Sequence, residues 1–356
     1  MDRSAAQSRL AHLMDGYLAT QLLYVAASLD LPEALADGPR TADELAEVVD
    51  ADPAALARVL RGLAAEDVLD EDGDGRFALT ELGTLLRDSL RGPAVVRGGL
   101  YFRAAAGLLD AVRRGGTAFA HVYGEPFFDY LDQNPDAGSA FQDSMAGRST
   151  REAAQVVAAY DFARVRRVVD VGGGRGVLLA AILGAAPHLS AVLLDRPAVA
   201  EQARDRLTSA GLADRCDVVG GDFFASVPAG ADTYLLSRVL HDWDDESAVR
   251  ILAACRRAVP DGGRLLVVDS VLPRFAREQP AAIRMDLHML LLLGARERTA
   301  AEFERLLERS GWLLRRIVPT GAPDALSLLE AVPVPAAGAD RDHVGGRASG
   351  GLSEGR

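Results

Sequence analysis

Short apolar runs alternate with longer segments of helical hydrophobic periodicity from about residue 167 almost to the end of the chain. Runs that are apolar on both faces are typical of parallel strands covered by helices. We predict five such strands and a final hairpin-like pair, at 168–171, 190–195, 216–220, 233–237, 264–269, 313–318 and 325–331. The pattern indicates an α/β fold with a seven-stranded, doubly wound, Rossmann-like sheet.

The first part of the chain has a different pattern, in which helices precede a short hairpin. Residues 10–29 predict one amphipathic helix, with apolar side chains at Leu13, Tyr17, Leu18, Leu22 and Val25. Thr41 and Glu44 form a capping box that opens the next helix, and Asp52 is the N-cap of the one after it. A hairpin over 68–79 completes the order of a winged helix.

The segment from Gly92 to Tyr160 is predicted to be helical and holds nine of the 20 aromatic side chains. These side chains suit either a plain core or a hydrophobic lid over an aromatic substrate, and both interpretations stay open. We divide the chain into four parts. They are a winged-helix-like dimerisation domain at 1–95, a helical linker or substrate lid at 96–160, a cofactor-binding catalytic domain at 161–334 and a disordered tail at 335–356.

Composition narrows the class of protein. The chain has 356 residues, of which 49% are hydrophobic, so it can bury a sizeable core. No apolar run reaches the roughly 18–20 residues of a membrane span, and the first residues lack a signal-peptide pattern. Two cysteines in apolar surroundings imply no disulfide framework. We expect a cytoplasmic enzyme with no membrane partner.

The net charge of −12 argues against nucleic acid as a partner, because phosphate binding needs a basic face. A winged helix often binds DNA, but here the hairpin region is acidic, with Asp70, Glu71, Asp72 and Asp74. Dimerisation is therefore the favoured role for this module.

A glycine-rich loop follows the first predicted strand, in the stretch Val168-Val169-Asp170-Val171-Gly172-Gly173-Gly174-Arg175-Gly176. Gly172 and Gly174 open a G-x-G-x-G pattern, and Val177 occupies the sixth position, where a dinucleotide fingerprint has glycine or alanine. The pattern looks like motif I of the class I methyltransferases, which bind S-adenosylmethionine; an ordinary turn is the alternative. Asp195 ends the next strand, where an acid can accept hydrogen bonds from ribose hydroxyls.

Further side chains follow the other strands at the same predicted edge of the sheet. Asp222 can accept from an adenine amino group and Phe223 can pack on the ring, although a turn aspartate is an equal alternative for Asp222. Ser237 ends the fourth strand. Because ligands of open α/β sheets bind at the carboxyl ends of the strands, we expect these residues around the cofactor.

His241 is the strongest candidate for catalysis among the six histidines, because it follows directly on a strand end beside the cofactor loop. Methyl transfer from a sulfonium to a phenol needs the phenolate, and a general base can supply it. A carboxylate on the other ring nitrogen would fix the tautomer and stabilise the imidazolium, with Asp269 and Glu297 as candidates. The alternatives are a strand-end acid for Asp269 and a helix N-terminal acid for Glu297.

Four motifs together resemble the caffeic-acid-type O-methyltransferase family, and the resemblance covers about residues 10–332. Within that family, the chain is similar to the bacterial branch that acts on antibiotic and aromatic polyketide intermediates. They are Asp170 to Gly176, Gly221-Asp222-Phe223, Leu240-His241-Asp242-Trp243 and Glu297-Arg298-Thr299. The resemblance implies a methyltransferase sheet, S-adenosylmethionine as cofactor, a phenolic substrate and a homodimer formed through the N-terminal module.

The resemblance also implies roles for single residues. Gly172, Asp195, Asp222 and Phe223 match cofactor contacts, whereas Ser237 stands where plant members have lysine. His241 matches the general base and Glu297 one flanking acid, and Asp269 stands where plant members have glutamate, which puts its reach in doubt. The substrate is expected at Phe141, Met145, Asp242 and Met289. No metal is expected.

Two other functions compete with O-methylation of a phenol. Some proteins that resemble this chain have become cofactor-assisted hydroxylases or decarboxylases, and the presence of His241 with nearby acids favours methyl transfer. A ligand-sensing winged-helix regulator is disfavoured by the acidic charge. The fold alone does not choose among them.

Overall fold

The computed structural model describes residues 2–321 and 326–335, with only the backbone described at positions 143, 146 and 147. The predicted tail beyond residue 335 and the second half of the turn at 320–323 lie outside the described residues. Three short strands form one sheet: β1 Arg40–Thr41, β2 Leu69–Glu71 and β3 Arg76–Leu79. The larger sheet contains β4 Arg167–Val171, β5 Ser190–Asp195, β6 Cys216–Gly220, β7 Thr233–Ser237, β8 Arg264–Leu272, β10 Trp312–Pro319 and β11 Leu326–Pro333, while the short β9 Arg298–Thr299 pairs with β8.

The order of the seven main strands is β10-β11-β8-β7-β4-β5-β6. The five strands from β8 to β6 are parallel, and β10 and β11 pair as the predicted hairpin. Since the two strands of a hairpin run in opposite directions, only β11 is antiparallel to the five. The prediction of a seven-stranded, Rossmann-like sheet is confirmed.

Alternating residues of β4 pack into separate hydrophobic cores on the two faces of the sheet. Val168 belongs to one core and Val169 to the other, and both side chains are fully buried. The strand reads as a continuous apolar run because helices cover both faces. These helices are α12 Pro135–Ala159, α13 Val177–Ala185, α14 Pro197–Ser209, α15 Asp245–Ala258, α16 Pro280–Leu292 and α17 Ala300–Arg309.

The N-terminal module has the predicted order of a winged helix, and its helices are α1 Arg3–Met14, α2 Gly16–Ser28, α3 Leu31–Ala34, α4 Ala42–Val49, α5 Pro53–Ala65 and α6 Glu81–Thr84. Thr41 and Glu44 form both hydrogen bonds of the capping box, and the Asp52 carboxylate accepts from the backbone N–H of Ala55. The predicted caps of α4 and α5 are therefore confirmed.

The single helix predicted over 10–29 is wrong, because the structure ends α1 at Met14 and begins α2 at Gly16. Asp15 and Gly16 are both poor helix formers, and the break falls on them. The predicted apolar stripe is exposed in its first half: Leu13 is 58% exposed and Tyr17 53%. This monomer therefore presents an apolar surface at its N-terminus.

The middle segment is helical, as predicted, with α7 Arg91–Val96, a π-helical turn Arg97–Tyr101, α8 Phe102–Ala105, α9 Leu108–Arg114, α10 Ala118–Tyr123, α11 Phe127–Gln133 and α12. Phe119 and Phe127 are buried in its core, so the plain-core interpretation holds for them. Phe141 lies partly buried against this core, with its ring centroid 5.1 Å from that of Phe127. Within the described parts of the chain, we find no helix with the length and apolar character that a bilayer crossing requires.

Candidate active site

The carboxyl ends of β4, β5, β7 and β8 meet at one edge of the sheet, because neighbouring strands there run parallel. β4 leads into the glycine loop and β5 ends at Asp195. β7 leads through Ser237 to the turn that carries His241, and Asp269 lies in β8. Topology thus brings together groups that are far apart in sequence.

The glycine loop has a backbone that other residues would strain. Gly172 and Gly174 have φ angles of 73° and 57°. A Cβ at Gly172 would lie 2.8 Å from Val239 Cγ2, whereas a Cβ at Gly174 would meet nothing within 4 Å. The loop at Gly172 therefore requires glycine for conformation and for space, and Gly174 leaves its backbone open to a ligand.

The Asp195 carboxylate accepts two backbone hydrogen bonds, one of them from this loop. Its Oδ2 accepts from the N–H of Gly174 at 2.8 Å, and its Oδ1 accepts from the N–H of Arg196 at 2.7 Å. A carboxylate has about four acceptor sites, so capacity remains for ribose hydroxyls. Nearby, burial and then the charge of Asp195 raise the pKa of Asp170 to about 7.

A cavity of about 640 Å³ lies between the glycine loop and helix α12. Phe141 and Met145 line it from α12, and Ser237 closes it from the end of β7. Its charged lining residues include both signs: Glu152, Asp170, Asp205, Arg175, Arg206 and Arg238. A cavity of this size and mixed charge suits a zwitterionic nucleoside ligand.

Asp222 and Phe223 are not among the residues that line this cavity. The Asp222 carboxylate accepts from the backbone N–H of Phe224 at 2.8 Å, which is the geometry of a turn aspartate. Phe223 lies close to the loop, since its Cε1 would be 3.6 Å from a Cβ at Gly172. Their roles at the adenine remain predictions.

His241 lies in the 3₁₀ turn Leu240–Asp242 and is only 8% exposed. Its Nδ1 is 3.1 Å from Glu297 Oε1 and 3.4 Å from Asp269 Oδ1, and both acids have fully buried side chains. Burial by itself lowers the pKa of His241. The charge of Asp269 and the hydrogen bond to Glu297 outweigh that effect and raise the pKa to about 9.

The two flanking acids differ in how they contact the imidazole. The Nδ1–H donates to Glu297, while the separation from Asp269 favours a charge interaction over a good hydrogen bond. Burial raises the pKa of Asp269 above its ordinary value. The aspartate does reach the histidine, although its role in catalysis stays a prediction.

The same three groups offer ligand atoms within 4.8 Å of one another, and they form the one such set that the described residues contain. Their wide spacing in sequence does not follow a metal-ligand pattern, so the three were expected as a catalytic set and not as a metal site. Our expectation that no metal is needed remains a prediction, and the hydrogen bond from Nδ1 to Glu297 gives the cluster a function without one.

The turn that carries His241 is fixed by Arg298, whose role sequence reasoning missed. Its buried guanidinium donates to the carbonyls of Leu240 at 2.6 Å and Trp243 at 2.7 Å, and to Asp245 Oδ1 at 2.9 Å. The side chain is 0% exposed. An arginine in the Glu297-Arg298-Thr299 motif was the available signal, but its partners depend on the pairing of β9 with β8.

The predicted substrate residues are distributed over several elements. Phe141 and Met145 face the cavity, and the Asp242 carboxylate lies 3.5 Å from Nε2 of His241 with 39% of its side chain exposed. Met289 is buried in α16 and is not among the lining residues. Substrate contacts of all four remain predictions.

Comparison with known proteins places the chain in a family. An O-methyltransferase dimerisation domain matches residues 11–89, and an O-methyltransferase domain matches residues 106–313. The phenazine O-methyltransferase of Lysobacter antibioticus is 45% identical over 332 residues, covering 92% of this chain and 96% of that protein. The chain belongs to the O-methyltransferase family.

Solved structures agree with this assignment. A mitomycin 7-O-methyltransferase matches with a TM-score of 0.85 and 40% identity, covering 93% of this chain and 98% of that one. An O-methyltransferase from neocarzinostatin biosynthesis, solved with S-adenosylmethionine and 2-hydroxy-5-methyl naphthoic acid, has a TM-score of 0.76 and 36% identity, covering 89% and 96%. This chain is an S-adenosylmethionine-dependent O-methyltransferase with a dimerisation domain.

The residues present fit this cofactor. Asp195 has free acceptor capacity beside the open backbone of Gly174, which suits a ribose diol. The acids among the cavity's lining residues suit a cationic sulfonium, and its arginines suit the carboxylate of the methionine moiety. Asp170 adds a buried oxygen, Oδ1, that has no hydrogen-bond partner among the described residues.

Proposed function

We propose that this enzyme methylates a phenolic hydroxyl of an aromatic secondary metabolite, with His241 as the general base. The observation that carries the proposal is the buried imidazole at the end of β7, whose Nδ1 lies 3.1 Å from Glu297 Oε1. Donation from Nδ1 to this acid leaves Nε2 of the neutral ring as the proton acceptor.

S-adenosylmethionine, when bound, supplies an electrophilic methyl group on a cationic sulfonium. His241 removes the phenol proton through Nε2, and Glu297 stabilises the imidazolium that results. A free phenol has a pKa of roughly 10. The pKa of His241, raised to about 9, is close to that value, so proton transfer from the phenol to the imidazole is nearly balanced in free energy. A positive charge in the cavity favours the neutral imidazole that this step needs.

Substrate contacts at Phe141, Met145, Asp242 and Met289 belong to this proposal, as do cofactor contacts at Gly172, Gly174, Asp195, Asp222, Phe223 and Ser237. The relatives' names include phenazine and mitomycin, and the neocarzinostatin enzyme was solved with a hydroxynaphthoic acid. A fused aromatic ring system that bears a phenol is the substrate class that we infer.

The assembly and location of the enzyme belong to the same proposal. The dimerisation domain and the exposed apolar side chains of α1 and α2 support a homodimer. We place the enzyme in the cytoplasm, where free cysteines such as Cys216 and Cys255 stay reduced, and we expect no membrane partner. The acidic net charge disfavours a nucleic-acid partner.

Methyl transfer from labelled S-adenosylmethionine to a panel of polycyclic phenols tests the proposal. Each phenol is paired with its methyl ether and its amino analogue, and the products are identified by mass spectrometry. The proposal expects label on the phenolic oxygen and none on the ether. Hydroxylated or decarboxylated products without methyl incorporation would instead establish a cofactor-assisted hydroxylase or decarboxylase.

A further inference from the structure

Arg238 lies between the cofactor cavity and the catalytic cluster, in a backbone conformation that few non-glycine residues adopt. It follows the last residue of β7 with φ of 56°, in the left-handed region. Its backbone N–H donates to the carbonyl of Val268 at 2.9 Å. Such conformations carry a cost and persist where surrounding contacts fix them, often at functional sites.

The Arg238 side chain, which is 16% exposed, makes contacts of this kind. Its Nη2 donates to Glu152 Oε1 at 2.6 Å, and its Nη1 donates to Ser270 Oγ at 3.0 Å. The same Nη1 is 3.7 Å from Glu297 Oε1, the oxygen that faces Nδ1 of His241. One guanidinium thus contacts helix α12, strand β8 and the acid behind the base.

Glu152 provides the other half of this connection. Its side chain, 14% exposed, accepts from Arg148 Nε at 2.8 Å, one turn earlier in α12. Burial raises the pKa of Glu152, but the charges of Arg238 and Arg148 outweigh that effect and lower it. Since Phe141 and Met145 lie on the same helix and line the cavity, the ion pair connects that wall to the catalytic cluster.

We propose that Arg238 is a positioning residue for methyl transfer, which holds Glu297 against His241 and joins this pair to Glu152 of helix α12. Docking of α12 and alignment of the base are then one coupled event. The inference rests on the proposed role of His241 as general base.

Charge balance gives the proposal a signature that ordinary structural damage lacks. Asp269 and Glu297 are fully buried, and Arg238 and His241 are the cations that face them. A third acid, the partly exposed Asp242, lies 3.5 Å from Nε2 of His241. Without the charge of Arg238, His241 is the one cation left among these acids, so its pKa rises. Without the charge of Glu152, the guanidinium stays beside Glu297 and no such rise follows.

The experiment compares Arg238→Gln with Glu152→Gln, which break the same ion pair from opposite sides. The readouts are the pH dependence of kcat/KM on a phenolic substrate, the dissociation constant of S-adenosylmethionine and the melting temperature. Arg316→Gln is the matched control, since Arg316 pairs with Glu330 at 2.7 Å on the outer strand β10.

We expect Arg238→Gln to move the acid limb of the kcat/KM profile, which is its low-pH side, to higher pH by about one unit. At a given pH on that side, kcat/KM then falls about tenfold. Glu152→Gln should lower kcat without moving the limb upward, and Arg316→Gln should match the wild type. A profile of Arg238→Gln that superimposes on the wild type overturns the proposal, as does an equal upward shift in Glu152→Gln.

Arg238→Lys carries the test if the glutamine variant does not fold. Lysine retains the positive charge but cannot donate to Glu152 and Ser270 at the same time, as the guanidinium does. The low-pH side of the kcat/KM profile should therefore stay in place while kcat falls at least about tenfold. An unchanged kcat in Arg238→Lys contradicts the inference. His241→Gln in the same assay separates the two claims: if it retains full activity, the general base itself is wrong, whatever Arg238 does.

Discussion

Glu297→Gln is the substitution that isolates the charge behind His241, the proposed general base. The amide retains the shape and an acceptor oxygen 3.1 Å from Nδ1, and it removes only the negative charge. Because the Glu297 side chain is 0% exposed, solvent does not dilute that charge. A charge-assisted hydrogen bond is worth about 1–1.5 kcal/mol more than a neutral one.

This difference of about 1.4 kcal/mol corresponds to about one pKa unit. The pKa of His241 therefore falls from about 9 towards about 8 in the variant. In the proposed mechanism the base is the neutral imidazole, which exists above its pKa. The low-pH side of the kcat/KM profile should therefore move to lower pH by about one unit. The plateau falls about three- to tenfold, because a weaker base removes the phenol proton more slowly.

The assay is initial-rate methyl transfer over pH 6–10, with Glu302→Gln as the matched control. Glu302 is the capping-box acid of α17, five residues further along, and glutamine preserves that box. The control should reproduce the wild-type limb. A limb that stays in place in Glu297→Gln, or moves to higher pH, would refute the assigned role of Glu297.

Three further predictions follow from the same contacts. His241→Ala should lower kcat at least about a hundredfold while calorimetry finds S-adenosylmethionine affinity nearly intact; an unchanged rate would exclude the base role. Gly172→Ala should weaken cofactor binding, because its Cβ would lie 2.8 Å from Val239 Cγ2, whereas Gly184→Ala, with nothing within 4 Å, should not; equal affinities would contradict the loop geometry. Binding of S-adenosylmethionine at pH 7.5 should release protons, since a nearby cation lowers the pKa of His241 from about 9, and calorimetry in buffers of different ionisation enthalpy should find a smaller release in His241→Gln, where Asp170, with a pKa of about 7, still faces the cavity; an equal release would contradict the assignment to His241.

Much of the catalytic domain could be predicted because its determinants are local. Buried strands are apolar runs, and the conformation of the glycine loop is encoded in its own residues, such as Gly172. The order of strands then places Asp195 and His241 at one edge without further information. Cap residues such as Thr41 act within one helical turn, and these predictions were also correct.

Contacts between distant residues could be predicted only where a motif marked the partners. Glu297, 56 residues from His241, was expected beside it from the Glu297-Arg298-Thr299 motif. Glu152 is 86 residues from Arg238 and lies in no motif, so that pair becomes visible only after strands and helices have packed. The position of Met289 depends on the side of α16 that faces the sheet. Arg238 offered no local signal, because its left-handed backbone appears only once its partners are in place.

The boundary between winged-helix module and lid, which we drew at residue 95, is not visible as a break in packing. Helix α7 spans that position and contacts both α2 and α12. The matched family domains leave residues 90–105 between them. The domain boundaries therefore remain predictions. Around residue 95 the structure has a continuous helical connection.

The central claim is that His241 removes the phenol proton during methyl transfer. Single-turnover rates of wild type and His241→Gln, on ring-substituted phenols whose pKa runs from roughly 10 down to about 7, test it most directly. We predict that the loss in the variant is greatest for the least acidic phenol and almost disappears for phenols that ionise unaided. A loss of the same size across the series would contradict the account, because it would show that His241 shapes the site without accepting the proton.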